Sequence, residues 1–267
     1  NSSATAAQNG GHLQVTASHN AFLNWQSFNI APGERTQFIQ PSASSVVWNR
    51  IHDANPSQIH GQLDANGIVV LMNPAGFHFG PGSFVSAAGL VVSTAPAAPV
   101  ESAAGLFWQF NGAPPDARIV HYGRIEVGSG GSAFLIAREI ENHGSIQAHG
   151  GSIGLVSGQE VLLSERPDGR GLSATVRLPE GSVDNQGRLA ADAGAIALSA
   201  RVVNHGGQIH ANTVRERNGI IELVASDNLS LAPGSSLAAA GDAESTGGSL
   251  RAAAGGNLNI AGSLEGF

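Results

Sequence analysis

The sequence predicts an all-β protein built as a right-handed parallel β-helix, a solenoid with an N-terminal β-cap and an extra-helical hairpin. Three observations carry this. Short apolar runs (Val46-Val47-Trp48, then 68–72, 77–79 and 89–92) alternate with the turn dipeptides Asn55-Pro56, Asn66-Gly67, Asn73-Pro74 and Pro81-Gly82. No window of residues 45–94 keeps an apolar face at helical spacing for three turns. From Ile119 onward a repeat recurs, its glycines at 123, 144, 187 and 206, giving intervals of 21, 43 and 19. A period of about 20 with two or three short strands per copy is one coil of a solenoid, which cannot bury its inner face alone and must stack.

Composition agrees. The chain of 267 residues is 42% hydrophobic, 5% aromatic and 12% charged, with 36 glycines. Regularly recurring apolar residues exclude disorder, and the glycine content fits many tight turns. Cysteine is absent, so no disulfide locks the fold. Net charge is −7 and all basic residues are arginine. That balance gives no clustered basic face and excludes nucleic acid as the expected partner. No apolar run reaches the 18 residues a membrane-spanning helix needs, and no charged-then-apolar leader opens the sequence. The abrupt end within a repeat is expected of the N-terminal piece of something longer.

The elements follow in order. Residues 1–11 are small and polar, expected to fray. Leu13, Val15 and Ala17 alternate with polar residues as a period-2 strand. With Phe22, Trp25, Phe28 and Ile30 this makes residues 1–45 a bulky cap over the first rungs, which an open stack requires to cover its apolar interior and unpaired edge. Coils occupy 46–267, the whole being one domain of 1–267. Residues 96–115, bracketed by prolines, are an excursion that lays an aromatic strand on the solenoid flank. The interval of 43 holds an insertion at 161–178, a hairpin around Pro167-Asp168-Gly169-Arg170-Gly171. Asn142, Asn185 and Asn204 fall at one place in each copy and are expected to form a stacked ladder. Gly144, Gly187 and Gly206 follow, where the corner is expected to need positive φ. The crossovers are expected to be right-handed.

A resemblance adds function. Asn24-Trp25-Gln26-Ser27-Phe28-Asn29-Ile30, Gln40-Pro41-Ser42-Ala43-Ser44-Ser45-Val46, Asn49-Arg50-Ile51, Asn55-Pro56-Ser57-Gln58-Ile59, Gly61-Gln62-Leu63 and Asn66-Gly67 together resemble the secretion domain of two-partner-secretion exoproteins. This domain, also called the haemagglutination-activity domain, opens filamentous haemagglutinin-like and high-molecular-weight adhesins, haemolysins and haem-acquisition exoproteins. The family signature Asn-Pro-Asn-Gly-Ile falls on Asn73-Pro74-Ala75-Gly76-Phe77, departing at Ala75 and Phe77. A second signature, Asn-Pro-Asn-Leu, has no match. The likeness is dense over 13–94, looser to 200, and only a repeat pattern beyond.

The resemblance implies a secretion-targeting domain of a large exported surface protein, an adhesin. It implies recognition in the periplasm by an outer-membrane TpsB-type transporter of the Omp85 family, through its POTRA domains, and β-helix folding nucleated at the cell surface. The domain is expected to be a monomer, secreted or surface-bound. A host receptor or glycan is a partner of the full-length protein. The turn at Asn73-Pro74-Ala75-Gly76 suits type I geometry, with proline second and glycine fourth; the resemblance ties this motif to secretion competence, and its expected role is structural, with direct contact to the transporter as the alternative.

His143 and His149, and His205 and His210, lack a third ligand at metal-site spacing, so the histidines read as solvated surface groups and no metal or cofactor is expected. Glu139/Glu141, Glu160/Glu165 and Asp184/Asp192 are scattered, and no lysine is available as a base, which argues against a β-helix polysaccharide lyase or any enzyme. A carbohydrate- or receptor-binding flank is the alternative function.

Overall fold

The computed structural model describes residues 3–96, 107–114, 116–215, 217–241 and 245–266. Every regular element among these residues is a strand. The chain enters as an antiparallel pair, β1 (Ala4–Asn9) and β2 (His12–Ala17). It then winds through β3 (Ala21–Trp25) and β4 (Arg35–Ile39), β5 (Val46–Ile51), β6 (Ser57–Ile59) and β7 (Gln62–Ala65). The next coils are β8 (Ile68–Met72), β9 (Phe77–Phe79) and β10 (Phe84–Ala87), then β11 (Gly89–Ser93). After β12 (Phe107–Asn111) come β13 (Arg118–His121) and β14 (Arg124–Val127), then β15 (Ser132–Ile136), β16 (Glu139–Asn142) and β17 (Ser145–Gln147). Next are β18 (Ser152–Val156), β19 (Gly158–Glu165), β20 (Leu172–Pro179), β21 (Ser182–Asn185) and β22 (Arg188–Ala190). The last coils are β23 (Ala195–His205), β24 (Gln208–His210), β25 (Ile220–Leu231), β26 (Ser236–Ala238), β27 (Ser249–Ala254), β28 (Leu258–Ile260) and β29 (Ser263–Glu265).

Pairing between coils is parallel and in register, which makes the molecule a parallel β-helix. One face is the 11-stranded sheet β1-β2-β4-β7-β10-β14-β17-β22-β24-β26-β29. The other two faces join into a 15-stranded sheet because β23 and β25 run unbroken round the corner between them. Like side chains therefore stack along the axis. Leu63, Val85, Ile125, Ile146, Leu189, Ile209 and Leu237 are successive register partners, all buried. Val69, Leu90, Ala133, Ile153, Ile196 and Ile221 form a second such column. No single coil closes this interior, so each stabilises its neighbours.

Of the residues expected as a cap, β2, β3 and β4 already pair in parallel with the strands that follow. The antiparallel addition at that end is β1. The 161–178 insertion lies in β19 and β20, an antiparallel hairpin, and β12 of the 96–115 excursion joins it as a three-stranded sheet β12-β19-β20. Residues 97–106 and 115 of that excursion lie outside the described residues. This small sheet covers the outer face of β5, β8, β11, β15 and β18. Trp48, Val70, Val91, Phe134 and Val156 pack there against Trp108, Phe110, Val161 and Leu163 in a second core. Trp48 and Trp108 meet edge to face, centroids 5.1 Å apart. Burial on both faces explains why β8, β11 and β15 are continuous apolar runs instead of alternating ones.

Polar staples seat the hairpin. Ser132 Oγ and Ser152 Oγ lie 2.9 Å apart and both accept from Leu172 N, at 2.8 and 3.1 Å. Ser157 Oγ spans the hairpin base, donating within reach of the Arg138 and Glu180 carbonyls. At the tip, burial pushes the Asp168 carboxyl up. Hydrogen bonds from Arg166 and Arg170 outweigh this and hold it well below the usual carboxylate range.

Candidate functional site

The turn at 73–76 is built from the end of β8. Asn73 follows Met72, is fully buried, and closes the turn by accepting from Gly76 N at 3.0 Å through its main-chain oxygen. Its Oδ1 accepts from Ala75 N at 2.9 Å, an Asx turn that fixes the direction of the corner. Its Nδ2 donates to Asn55 O at 3.2 Å and Ser57 Oγ at 3.0 Å in the coil below. Gly76 carries φ +109°, and a Cβ there would meet Arg118 O of the coil above at 2.5 Å. Phe77, which begins β9, is buried and stacks on Phe79, with centroids 6.1 Å apart. Pro74 and Ala75 are half-buried. The motif is thus a rivet through three coils.

The other family-matching residues do related work. Asn49 is buried in β5; its Oδ1 accepts from Trp25 Nε1 at 2.9 Å and its Nδ2 donates to Val70 O at 3.2 Å. Arg50 Nη2 donates to Pro96 O at 3.1 Å, tying the start of the excursion to the coil. Asn55 and Pro56 form an exposed corner whose carbonyl at 55 receives Asn73. Asn66 makes two bonds to one residue below, accepting from Gln40 N and donating to Gln40 O, both at 2.7 Å. Gly67 has no room for a Cβ, which would lie 2.5 Å from the Gln40 amide nitrogen.

The corner ladder differs from expectation at one rung. Asn142 Nδ2 donates to Asn185 Oδ1 at 2.6 Å, both residues buried. The third rung is His205, because register pairs Asn185 with His205 and puts Asn204 beside Asp184. Asn204 is half-buried and outside the ladder. The glycine stack shifts likewise to Gly123, Gly144, Gly187 and Gly207, while Gly206 pairs with the level of Gln186. None of these corner glycines has positive φ. They are required for space instead: a Cβ on Gly144 or Gly187 would overlap the carbonyl oxygen of the glycine one coil below.

Two residues of this site escaped the sequence reading. His121 and His205 are buried, not solvated. His121 Nδ1 lies 2.7 Å from Asn142 Oδ1, and His205 Nδ1 lies 3.0 Å from Asn185 Nδ2. Burial pushes both imidazoles down, His121 to about 4, with the Asn142 bond acting weakly the other way. The signal was available: His121-Tyr122-Gly123 and His205-Gly206-Gly207 share the polar-x-Gly spacing of Asn142-His143-Gly144 and Asn185-Gln186-Gly187. Next to the ladder, on the outside, the rings of His60, His78, Tyr122 and His143 form a column with centroids 5.5, 5.8 and 4.7 Å apart, tilted at the first two contacts and stacked at Tyr122–His143. Among the described residues no group of three or more His, Asp or Glu is placed to hold a metal ion.

The arrangement is one of structural rivets along a solenoid, and comparison with known proteins gives it a context. The family described as the TPS secretion domain matches residues 1–245. Two heme/hemopexin-binding proteins of Haemophilus influenzae are similar. One is 29% identical over 219 residues, covering 77% of this chain and 24% of the relative; the other is 40% identical over 77 residues, covering 29% of this chain and 8% of the relative. The chain therefore spans about a quarter or less of the length of these relatives. The crystal structure of the HMW1 secretion domain from Haemophilus influenzae superposes with a TM-score of 0.81 at 27% identity, covering 100% of this chain and 82% of that one.

Proposed function

The chain belongs to the TPS secretion-domain family, and from that we propose that it targets a larger exoprotein to a dedicated outer-membrane TpsB-type transporter, whose periplasmic POTRA domains recognise it. Exoproteins of this family are secreted through the periplasm and outer membrane. The observation that carries the reading is the family match over residues 1–245 together with the β-helix shared with the HMW1 secretion domain. The chain crosses extended and folds outside, each finished coil offering the next a strand edge to pair with. Propagation along the axis biases movement outward without ATP.

Asn73, Pro74, Ala75, Gly76 and Phe77 serve export through the fold. In support, the Asn73 side chain closes its own turn through Oδ1 and reaches the neighbouring coil through Nδ2. Replacing Asn73 with alanine should lower both stability and secretion, since the buried Ser57 hydroxyl loses its partner and the turn loses its side-chain bonds, at a cost of roughly 2–3 kcal/mol. Denaturant midpoints and culture-medium yield measure the two. Lost secretion at unchanged stability would instead assign the turn to a direct transporter contact.

The whole exoprotein acts at the cell surface as an adhesin, as the resemblance of residues 13–94 to the secretion domain of high-molecular-weight adhesins implies. A second reading of the cargo is capture of haem or hemopexin, favoured by the name the two relatives carry. Deleting residues 13–17 from the full-length exoprotein tests the targeting reading; normal surface delivery of the deletion would sink it. A pull-down with the transporter's periplasmic domains, comparing native and denatured chain, tests the partner.

A further inference from the structure

The buried ladder runs as one column through the corner of successive coils. His121, Asn142, Asn185 and His205 are consecutive register partners on β13, β16, β21 and β23, and each is at most 1% exposed. Phe79 precedes the column in register and Leu231 follows it, so both ends meet apolar residues. The bonds form a single directed chain. Asn142 spends its Nδ2 on Asn185 Oδ1, so its Oδ1 faces His121 as acceptor, and His121 must hold its proton on Nδ1. Asn185 then presents Nδ2 to His205 Nδ1 at 3.0 Å, and the Asn185 main-chain oxygen lies 3.2 Å from the same nitrogen. His205 Nε2 lies 3.3 Å from Ser236 O. The amides fix one direction along the axis from His121 to Asn185, and burial favours the neutral form of both imidazoles.

The other nitrogen of His121, Nε2, is buried and has no partner. A proton there would be a buried, unpaired N–H carrying charge. Phe79 stands edge-to-face on the ring at 5.8 Å, and Gly144 leaves no space beside it. No carboxylate offsets the charge: the titratable neighbours on the packed strands, His78, Tyr122 and His143, lie in the outward ring column, and Glu141 on β16 pairs outward with Arg118. Around His205, burial favours the neutral ring and outweighs the carbonyls of Ser236 and Asn185 and the carboxylate of Asp184 on β21, which favour a proton.

We propose that this column is an acid-released lock: the coils from β13 to β26 close only around two neutral imidazoles, and protonation of His121 and His205 opens them. Folding of these coils is thereby coupled to proton release. The sign follows from the depressed folded-state value of His121, about 4 against an ordinary 6.5. Stability is complete above the unfolded value and is lost as pH falls through the window between the two.

The test is an acid titration of the 1–267 chain, followed by circular dichroism and by the histidine Cε1–H resonances. Cooperative loss of strand signal is expected between about pH 6 and 4, with His121 unprotonated until the transition. Replacing both column histidines (His121→Asn with His205→Asn) should lower the midpoint by about one pH unit or more, because amides continue the column without a titrating site. The outward His143→Asn should leave it unchanged. The same midpoint in the double variant overturns the proposal. Should that variant fail to fold, the native resonances decide: His121 titrating near 6.5 in the folded chain overturns it equally.

Discussion

Gly144 and Gly187 sit where one coil's backbone lies against the next, and there the absence of a side chain matters more than backbone freedom. Neither has positive φ, yet each faces the carbonyl of the glycine below with no room for a methyl group. Gly187→Ala must push two coils apart along a stack whose strand spacing is fixed near 4.8 Å. We expect a loss of about 3 kcal/mol, read from the urea midpoint at constant slope. A midpoint within error of the parent would show that the corner yields. Gly234 is the contrasting case: it has φ +85° and open space around its Cβ position, so there the conformation is what selects glycine. The same economy holds for the asparagines. Asn49, Asn73, Asn142 and Asn185 are buried because each amide satisfies backbone or side-chain groups on a neighbouring coil.

The three-stranded sheet β12-β19-β20 is the element that makes this solenoid more than a bare stack. It turns one outer face into a second core, centred on Trp108, which is 1% exposed. Trp108→Ala removes that anchor and should cost about 3–5 kcal/mol. The loss should be local: amide exchange should accelerate in β12, β19 and β20 while β14, β17 and β22 on the opposite sheet stay protected. Uniform acceleration in both sheets would show that the two cores unfold as one. The hairpin itself was legible from Pro167-Asp168-Gly169 and the oversized repeat interval. Its union with β12 was not, because the two segments are about fifty residues apart and their pairing depends on the coil face they share.

At the scale of the whole molecule the open ends of the stack govern behaviour. β1 is exposed along its whole length, carries no charge and pairs with β2 alone. It occupies the edge that β2 would otherwise present. Removing residues 1–9 should bare that edge and drive edge-to-edge association, seen as a concentration-dependent shift in sedimentation. A chain that stays monomeric without β1 would show that β2 is already a protected edge.

The fold class was written in the sequence because a solenoid is a local rule applied many times: short apolar runs, corner glycines and a period near twenty need no long-range information. The polar-x-Gly corners at Asn142, Asn185 and their relatives were legible for the same reason. The register of the ladder was not. A slip of one residue decides whether Asn204 or His205 turns inward, and only the stacking of β23 on β21 fixes that choice. So too with His121, whose burial comes from Phe79 and Gly144 on other coils. Sequence sets what each coil can be. Which side chain meets its counterpart above is settled when the coils pack, since that contact exists only between turns of the chain.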